Sequence, residues 1–117
     1  MANIIVDKTF RFAQEIITVY LDLREMGHFK LADQLVKSGT SIGANVEEAQ
    51  AAHSKLDFVA KLTISNKEAR ETRYWIRLLD RKELLGEHES LPFLNTEIEE
   101  ILLLLNSIIK KSRENLK

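Results

Sequence analysis

The residue types most suited to chemistry fall into two short patterns familiar from enzymes. The segment 39–43 (GTSIG) matches the G-x-S-x-G nucleophile pattern, and Glu25 with His28 matches the E-x-x-H pattern of di-iron bundles. A serine nucleophile needs a strained turn between a strand and a helix, whereas apolar residues keep helical spacing straight through this segment. A di-iron site needs two E-x-x-H motifs and two further glutamates. We therefore expect no catalytic serine, no metal ion, no cofactor and no small-molecule substrate.

A row of basic side chains is the clearest candidate for binding. At helical spacing, five of them share one side of a predicted third helix, namely Lys67, Arg70, Arg73, Arg77 and Arg81. Residues 55–86 hold eight basic and five acidic side chains, although the whole chain has a net charge of −1. Cations attract phosphate, and Tyr74 within the row could stack on a base, so the row is a candidate site for RNA or DNA. The alternative is an ordinary solvated helix face.

Two further groups of polar residues border apolar helix faces. One row has steps of three, four and three residues and consists of Ser38, Ser41, Asn45 and Glu48. Such a row can hydrogen-bond a facing helix and fix its register, or it can be a solvated edge. The other group is Glu68 and Glu71, which fall beside Trp75 and other apolar residues. A carboxylate there suits a paired contact across an interface, or an acid with a raised pKa. Since no second catalytic group accompanies it, we favour the interface.

Turn and capping residues divide the chain into the helices that must position these groups. Asp7 and Ser54 are predicted N-caps, Gly27 and Gly86 are predicted stops, and Pro92 fits a first helical turn. The expected helices cover about residues 7–26, 29–52, 54–85 and 90–114. Because the connections are short, neighbouring helices should be antiparallel. The pattern predicts an all-α, up-down-up-down four-helix bundle, with residues 1–117 forming one domain.

Two of the predicted helices carry more apolar surface than a bundle core requires. The first helix has one stripe of Ala13, Ile17 and Tyr20 and another of Phe12, Val19 and Leu23. The third has a core stripe of Phe58, Leu62, Ala69 and Ile76 and a second stripe of Ile64, Trp75 and Leu78. A helix in a monomeric bundle needs one apolar stripe, so we expect the second stripes to mediate self-association. The alternative is a compact bundle whose helices are deeply buried.

Small residues mark one face of the second helix. Gly39 and Gly43 stand near Ser38 and Ala44. A glycine inside a helix costs about 1 kcal/mol relative to alanine. We therefore expect another helix to approach this face closely, because the close packing would compensate for that cost.

The composition excludes several classes of protein. A chain of 117 residues, 44% hydrophobic and 30% charged, suits one globular domain, and four glycines with one proline are too few for an all-β fold. No cysteine is present, which excludes disulfide scaffolds and thiol chemistry and suits a reducing cytoplasm. The longest apolar run, 101–105, is far shorter than the roughly 20 residues of a membrane span, and no signal-peptide pattern begins the chain. We expect a soluble, cytoplasmic protein.

Two segments resemble a known family, namely 35–49 (LVKSGTSIGANVEEA) and 67–75 (KEARETRYW). With them, nearly the whole chain resembles the 23S rRNA intervening-sequence protein family, also called the four helix bundle protein family. The resemblance implies a left-handed up-down bundle and a ring-like homo-oligomer, a pentamer, without catalytic residues. By motif position, the family pattern falls on Ser38, Ser41, Asn45, Glu48, Glu68 and Glu71.

The sequence is also similar to the accessory variability determinant of diversity-generating retroelements. That relative is a strongly basic, barrel-shaped pentamer that binds nucleic acid and a reverse transcriptase, whereas this chain has a net charge of −1. Our leading hypothesis is a non-enzymatic, homo-oligomeric binding scaffold whose partners are further copies of itself and a protein or nucleic acid. The first alternative is a nucleic-acid-binding accessory protein that uses the basic row, and the second is an enzyme.

Overall fold

The chain folds into four long helices. A computed structural model describes residues 3–116, and within that range it contains no strand. The helices are α1 (Ile4–Glu25), α2 (Phe29–Gln50), α3 (Lys55–Leu79) and α4 (Leu91–Glu114). This confirms the predicted all-α fold with four helices. None of the four has a stretch long and apolar enough to cross a membrane.

Side-chain N-caps begin α1 and α3, and the cap of α1 differs from the predicted one. Asn3, not Asp7, is the N-cap of α1, because its side-chain oxygen accepts a hydrogen bond from the Val6 amide at 3.4 Å. Asp7 instead lies in the first turn, where a carboxylate favours the helix dipole. The stop at Gly27 is confirmed, since its φ of +90° suits glycine. The Ser54 cap is confirmed by a 3.0 Å bond from the Asp57 amide.

The end of α3 was predicted six residues too late. The helix ends at Leu79 rather than near Leu85, and turns occupy residues 80–90. Leu85 folds back so that its amide donates to the Leu79 carbonyl, and its side chain is fully buried. Gly86 closes this turn, because a Cβ there would lie 2.7 Å from the carbonyl carbon of Arg81. Leu85 is therefore apolar because it enters the core from a turn, not because the helix continues.

The four helices pack in chain order around one core. Helices that follow one another in the chain are in contact, and α1 also contacts α4, so the four surround the core. The bundle measures 49 × 24 × 21 Å. Along α1 and α2, Thr9 faces Gly43 while Ile16 faces Gly39, so residue numbers rise on one helix as they fall on the other. That order fits the expected antiparallel neighbours. The left-handed sense of the bundle stays a prediction.

The apolar stripes divide between the core and the surface. On α1 the stripe of Phe12, Val19 and Leu23 is fully buried, whereas Ile17 of the other stripe is 44% exposed. On α3 the predicted core residues Leu62, Ala69 and Ile76 are buried, and Phe58 is half-buried. Ile64 and Leu78 of the second α3 stripe are 44% and 46% exposed. The prediction that the second α1 stripe mediates self-association is therefore wrong, because that stripe forms part of the core. The outward apolar residues are Ile17 of the other α1 stripe and Ile64 and Leu78 of the second α3 stripe, whose Trp75 is half-buried.

The small-residue face of α2 confirms the predicted close approach, and the approaching helix is α1. A Cβ on Gly39 would lie 2.9 Å from both γ carbons of Ile16, which is itself fully buried. A Cβ on Gly43 would lie 3.3 Å from the Thr9 carbonyl oxygen. Ala44 is exposed and faces the surface instead.

Candidate functional site

The predicted basic row forms an open groove along the outer surface of α3. The groove has a volume of about 370 Å³ and is lined by Lys67, Arg70, Glu71, Arg73, Tyr74 and Arg77. Arg81 is not part of it, because α3 ends at Leu79 and Arg81 lies in the turn that follows. The structure therefore brings together four of the five predicted cations and excludes the fifth.

Two of the five predicted cations already have carboxylate partners. Arg73 Nη1 lies 3.1 Å from Glu99 Oε1, so this arginine links α3 to α4. Arg81 Nε lies 3.1 Å from Glu83 Oε2 within the turn. These pairs neutralise part of the positive charge that the sequence pattern implied, and both are exposed enough to contribute little to stability.

Three cations of the groove remain without a carboxylate partner. Within residues 3–116, Lys67, Arg70 and Arg77 form no ion pair. Arg70 and Arg77 are seven residues apart and so lie two turns apart on one side of α3. Tyr74 is 52% exposed beside them. The groove thus combines unneutralised positive charge with an exposed aromatic ring, which suits phosphate contacts and base stacking.

The row on α2 does not bond the facing helix. Ser38 Oγ donates to the Gln34 carbonyl at 3.2 Å, and Ser41 Oγ donates to the Lys37 carbonyl at 2.6 Å. Asn45 Nδ2 likewise donates to the carbonyl of Ser41 at 2.9 Å, and Glu48 is exposed. The expected register bonds to a facing helix are not confirmed, because Ser38, Ser41 and Asn45 each bond a carbonyl four residues earlier on α2.

The bond that links α2 to α3 comes from a residue that the sequence analysis missed. Ser65 Oγ on α3 donates to the Ile42 carbonyl at 2.8 Å, and Ser65 is fully buried. The signal was present in the sequence. Ser65 follows Leu62 by three residues and precedes Ala69 by four, which places it on the buried side of α3.

The carboxylates of α3 lie at its border with α2. Burial raises the pKa of Glu68, the nearby charge of Glu71 raises it further, and Lys37 on α2 lowers it. Glu71 Oε2 accepts a hydrogen bond from Trp75 Nε1 at 3.1 Å, and this pairing holds the half-buried ring against its own helix. Within residues 3–116, no group of three or more His, Asp or Glu side chains is placed to hold a metal ion.

The G-x-S-x-G segment lies in the middle of α2. Its Ser41 hydroxyl is bonded to its own helix, so the segment has neither the turn nor the free hydroxyl of a nucleophile elbow. A cleft of about 510 Å³ opens between α1 and the start of α4. Two of its polar side chains bond each other, since Ser90 Oγ donates to Glu15 Oε2 at 3.3 Å. The Arg11 guanidinium lies 5.3 Å from the centre of the Phe93 ring.

A second groove, apolar in character, runs between α1 and α2. It has a volume of about 340 Å³ and is lined by Phe10, Ala13, Ile17, Thr40, Gly43, Ala44 and Glu47. Phe10 is 59% exposed at its edge. Ile17 was placed in one of the two apolar stripes predicted for the first helix, whereas Phe10 was missed. The signal was the spacing of seven between these residues, which places both on one side of α1.

A family model and a solved structure match the chain over most of its length. The family model described as 23S rRNA-intervening sequence protein matches residues 1–107. A crystal structure of a protein of unknown function from the S23 ribosomal protein family of Bacteroides thetaiotaomicron superimposes with a TM-score of 0.81. The two chains are 44% identical, and the match covers 91% of this chain and 98% of that one. No curated protein matches the chain.

The likeness to the retroelement accessory proteins stays a prediction. The family itself is established by the match over residues 1–107 together with the four helices. The chain belongs to the 23S rRNA-intervening sequence protein family.

Proposed function

We propose that this protein is a non-enzymatic, cytoplasmic binding scaffold that assembles into a homo-oligomeric ring of five subunits. The observation that carries the proposal is the set of large apolar side chains left on the outward faces of α1 and α3. The number five comes from the family resemblance. The hydroxyl of Ser41 is bonded to its own helix, which argues against a serine nucleophile in the segment 39–43.

The outward face of α1 is unusually apolar for a solvated surface. Phe10, Ile17 and Leu21 are 59%, 44% and 57% exposed, and their spacing of seven and four places them on one side of the helix. Fully burying one such side chain contributes about 1.5–3 kcal/mol, so covering the exposed part of each contributes roughly 1 kcal/mol. A contiguous apolar patch of this kind usually marks an interface.

The test compares two exposed apolar sites by light scattering after size exclusion. In a Phe10→Ser, Leu21→Ser double variant we expect the mass to fall to that of one chain. The matched control is Leu103→Ser on the outer side of α4, where the leucine is 71% exposed but lies on another helix. The control should keep the wild-type mass. A double variant that keeps its mass, or a control that dissociates equally, would contradict the proposal.

A second candidate function is nucleic-acid binding at the α3 groove. The observation that favours it is the trio Lys67, Arg70 and Arg77, which lacks carboxylate partners and surrounds the exposed Tyr74 ring. Phosphate contacts release condensed counterions, so affinity for a single strand should fall with the logarithm of salt concentration. Each neutralised phosphate contributes about 0.7 to that slope.

The test measures fluorescence anisotropy of a labelled single-stranded RNA at two salt concentrations. Arg70→Glu, Arg77→Glu should weaken binding at least tenfold and flatten the salt dependence. The control is Lys30→Glu, Lys55→Glu, which changes the charge equally at two exposed helix starts where glutamate is favourable. Equal weakening in both variants, or no binding by the wild type at low salt, would reject this function.

A further inference from the structure

We propose that the basic groove of α3 selects single-stranded over duplex nucleic acid, because an unpaired base stacks on Tyr74 between phosphates bound by Arg70 and Arg77. The inference rests on nucleic-acid binding, the second candidate function above. It names the class of ligand and the residue that selects it. We call Arg70, Tyr74 and Arg77 the stacking site.

The Tyr74 ring is exposed, yet a neighbouring ring supports it. It lines the groove, and its centroid lies 5.3 Å from that of Trp75 at an interplanar angle of 70°. This is the edge-to-face arrangement that aromatic pairs prefer. Trp75 is half-buried, and its Nε1 donates to Glu71 Oε2 at 3.1 Å. The Tyr74 ring therefore packs against a fixed neighbour while the rest of its surface is open to a ligand.

Two arginines flank this ring along the helix. Arg70 precedes Tyr74 by four residues and Arg77 follows it by three, and residues at these spacings are neighbours on a helix surface. The two arginines are about 10 Å apart along the axis, since each residue rises about 1.5 Å. Neither forms an ion pair within residues 3–116. A strand whose phosphates contact both arginines therefore passes over the Tyr74 ring.

The carboxylates near the groove lie at its borders. Glu71 lines the side towards α2, whereas Glu99 of α4 lies 3.1 Å from Arg73 Nη1 on the other side and is neutralised by it. Asp80 is the C-cap of α3 and does not line the groove. The two arginines of the stacking site are three and four residues from Arg73, which places them on the α4 side. Phosphates therefore bind on the side away from Glu71.

The aromatic ring, rather than the positive charge, makes the stacking site selective. A duplex carries its phosphates at higher density than a single strand, so phosphate contacts alone favour the duplex. In a duplex the faces of the bases are covered by their neighbours, so a base reaches Tyr74 only at the cost of unpairing and unstacking. A single strand offers unpaired bases, and stacking one base on an aromatic side chain strengthens binding about 5–150-fold. The Tyr74 ring should therefore reverse the preference.

The test compares a labelled RNA as a single strand and annealed to its complement, by fluorescence anisotropy at low salt. The wild type should bind the single strand at least about fivefold more tightly than the duplex. Tyr74→Leu should lose this preference, and Tyr74→Phe should keep it. Tyr74→Leu should also keep the wild-type salt dependence, since it removes no phosphate contact. Both ligands meet the same assembly of each variant, so the ratio of their affinities reports stacking even where the number of subunits changes.

Phe29→Leu is the matched control. Phe29 and Tyr74 are both 52% exposed, and Arg24 lies 5.0 Å from the Phe29 ring centre, but Phe29 begins α2 and does not line the groove. The control should bind both ligands as the wild type does. A wild type that binds neither ligand would overturn nucleic-acid binding itself. A wild type that binds the single strand without preferring it, a Tyr74→Leu variant that keeps the preference, or a control that loses it equally would overturn only the role of Tyr74.

Discussion

Gly39→Ala is the substitution whose effect the geometry predicts most sharply. The added Cβ would lie 2.9 Å from both γ carbons of Ile16, a separation that packed carbon atoms do not adopt. Those carbons cannot swing away, because Ile16 is branched at Cβ and fully buried between the helices. The substitution therefore forces α1 and α2 apart or pushes Ile16 from its rotamer.

Two opposing terms set the magnitude. Overpacking a filled core costs about 1–3 kcal/mol, whereas alanine in a helix is better than glycine by about 1 kcal/mol. The net loss for Gly39→Ala should be about 1 kcal/mol. In an Ile16→Ala background the clashing carbons are gone. There the same substitution should stabilise the protein by about 1 kcal/mol, so the coupling between the two positions is about 2 kcal/mol.

The assay is urea denaturation followed by helical circular dichroism for the wild type, both single variants and the double variant. All four are compared at one protein concentration, since assembly makes apparent stability depend on concentration. Gly43→Ala serves as a milder reference, because its added Cβ would meet Thr9 at 3.3 Å. A Gly39→Ala effect of equal sign and size in both backgrounds would refute the reasoning.

Two further predictions concern the border of α2 and α3. Ser65→Ala should lower the free energy of unfolding by about 1 kcal/mol through loss of the buried bond to Ile42, whereas exposed Ser107→Ala should be nearly neutral in the same denaturation assay. Burial raises the pKa of Glu68, so its stabilising contribution is present below the ordinary pKa of 4.5 and is lost as pH rises through the folded value. Glu68→Gln should therefore raise the melting temperature at pH 7 and make it less dependent on pH, and an unchanged pH profile would contradict this.

The helical architecture was predictable because its signals are local. Ser54 and Gly27 act through their own backbone neighbours, and a glycine such as Gly39 lowers the stability of any helix that contains it. The early end of α3 was not predictable in this way. Leu85 keeps helical spacing with Leu78, and only the core shows that a turn delivers it there. The error removed Arg81 from the basic row.

The sequence predicted which residues lie together on a helix side, but not which partners their side chains bond. Spacing placed Arg70 and Arg73 on one helix side, yet only the packing of α4 shows that Glu99 neutralises Arg73. Spacing also singled out Ser41 as a candidate register residue, and Ser65 was missed. A serine bonds the carbonyl of its own helix unless it faces a neighbouring backbone, and that depends on how α2 and α3 cross.

The central claim is that the exposed apolar faces of α1 and α3 are covered by further copies of the chain. The most direct test is the absolute mass of the wild-type protein, measured by light scattering after size exclusion at low and at physiological salt. We predict a mass of five chains at both salt concentrations, since apolar contacts are not screened. A mass of one chain at both would contradict the claim and leave the basic groove of α3 as a solvated helix face.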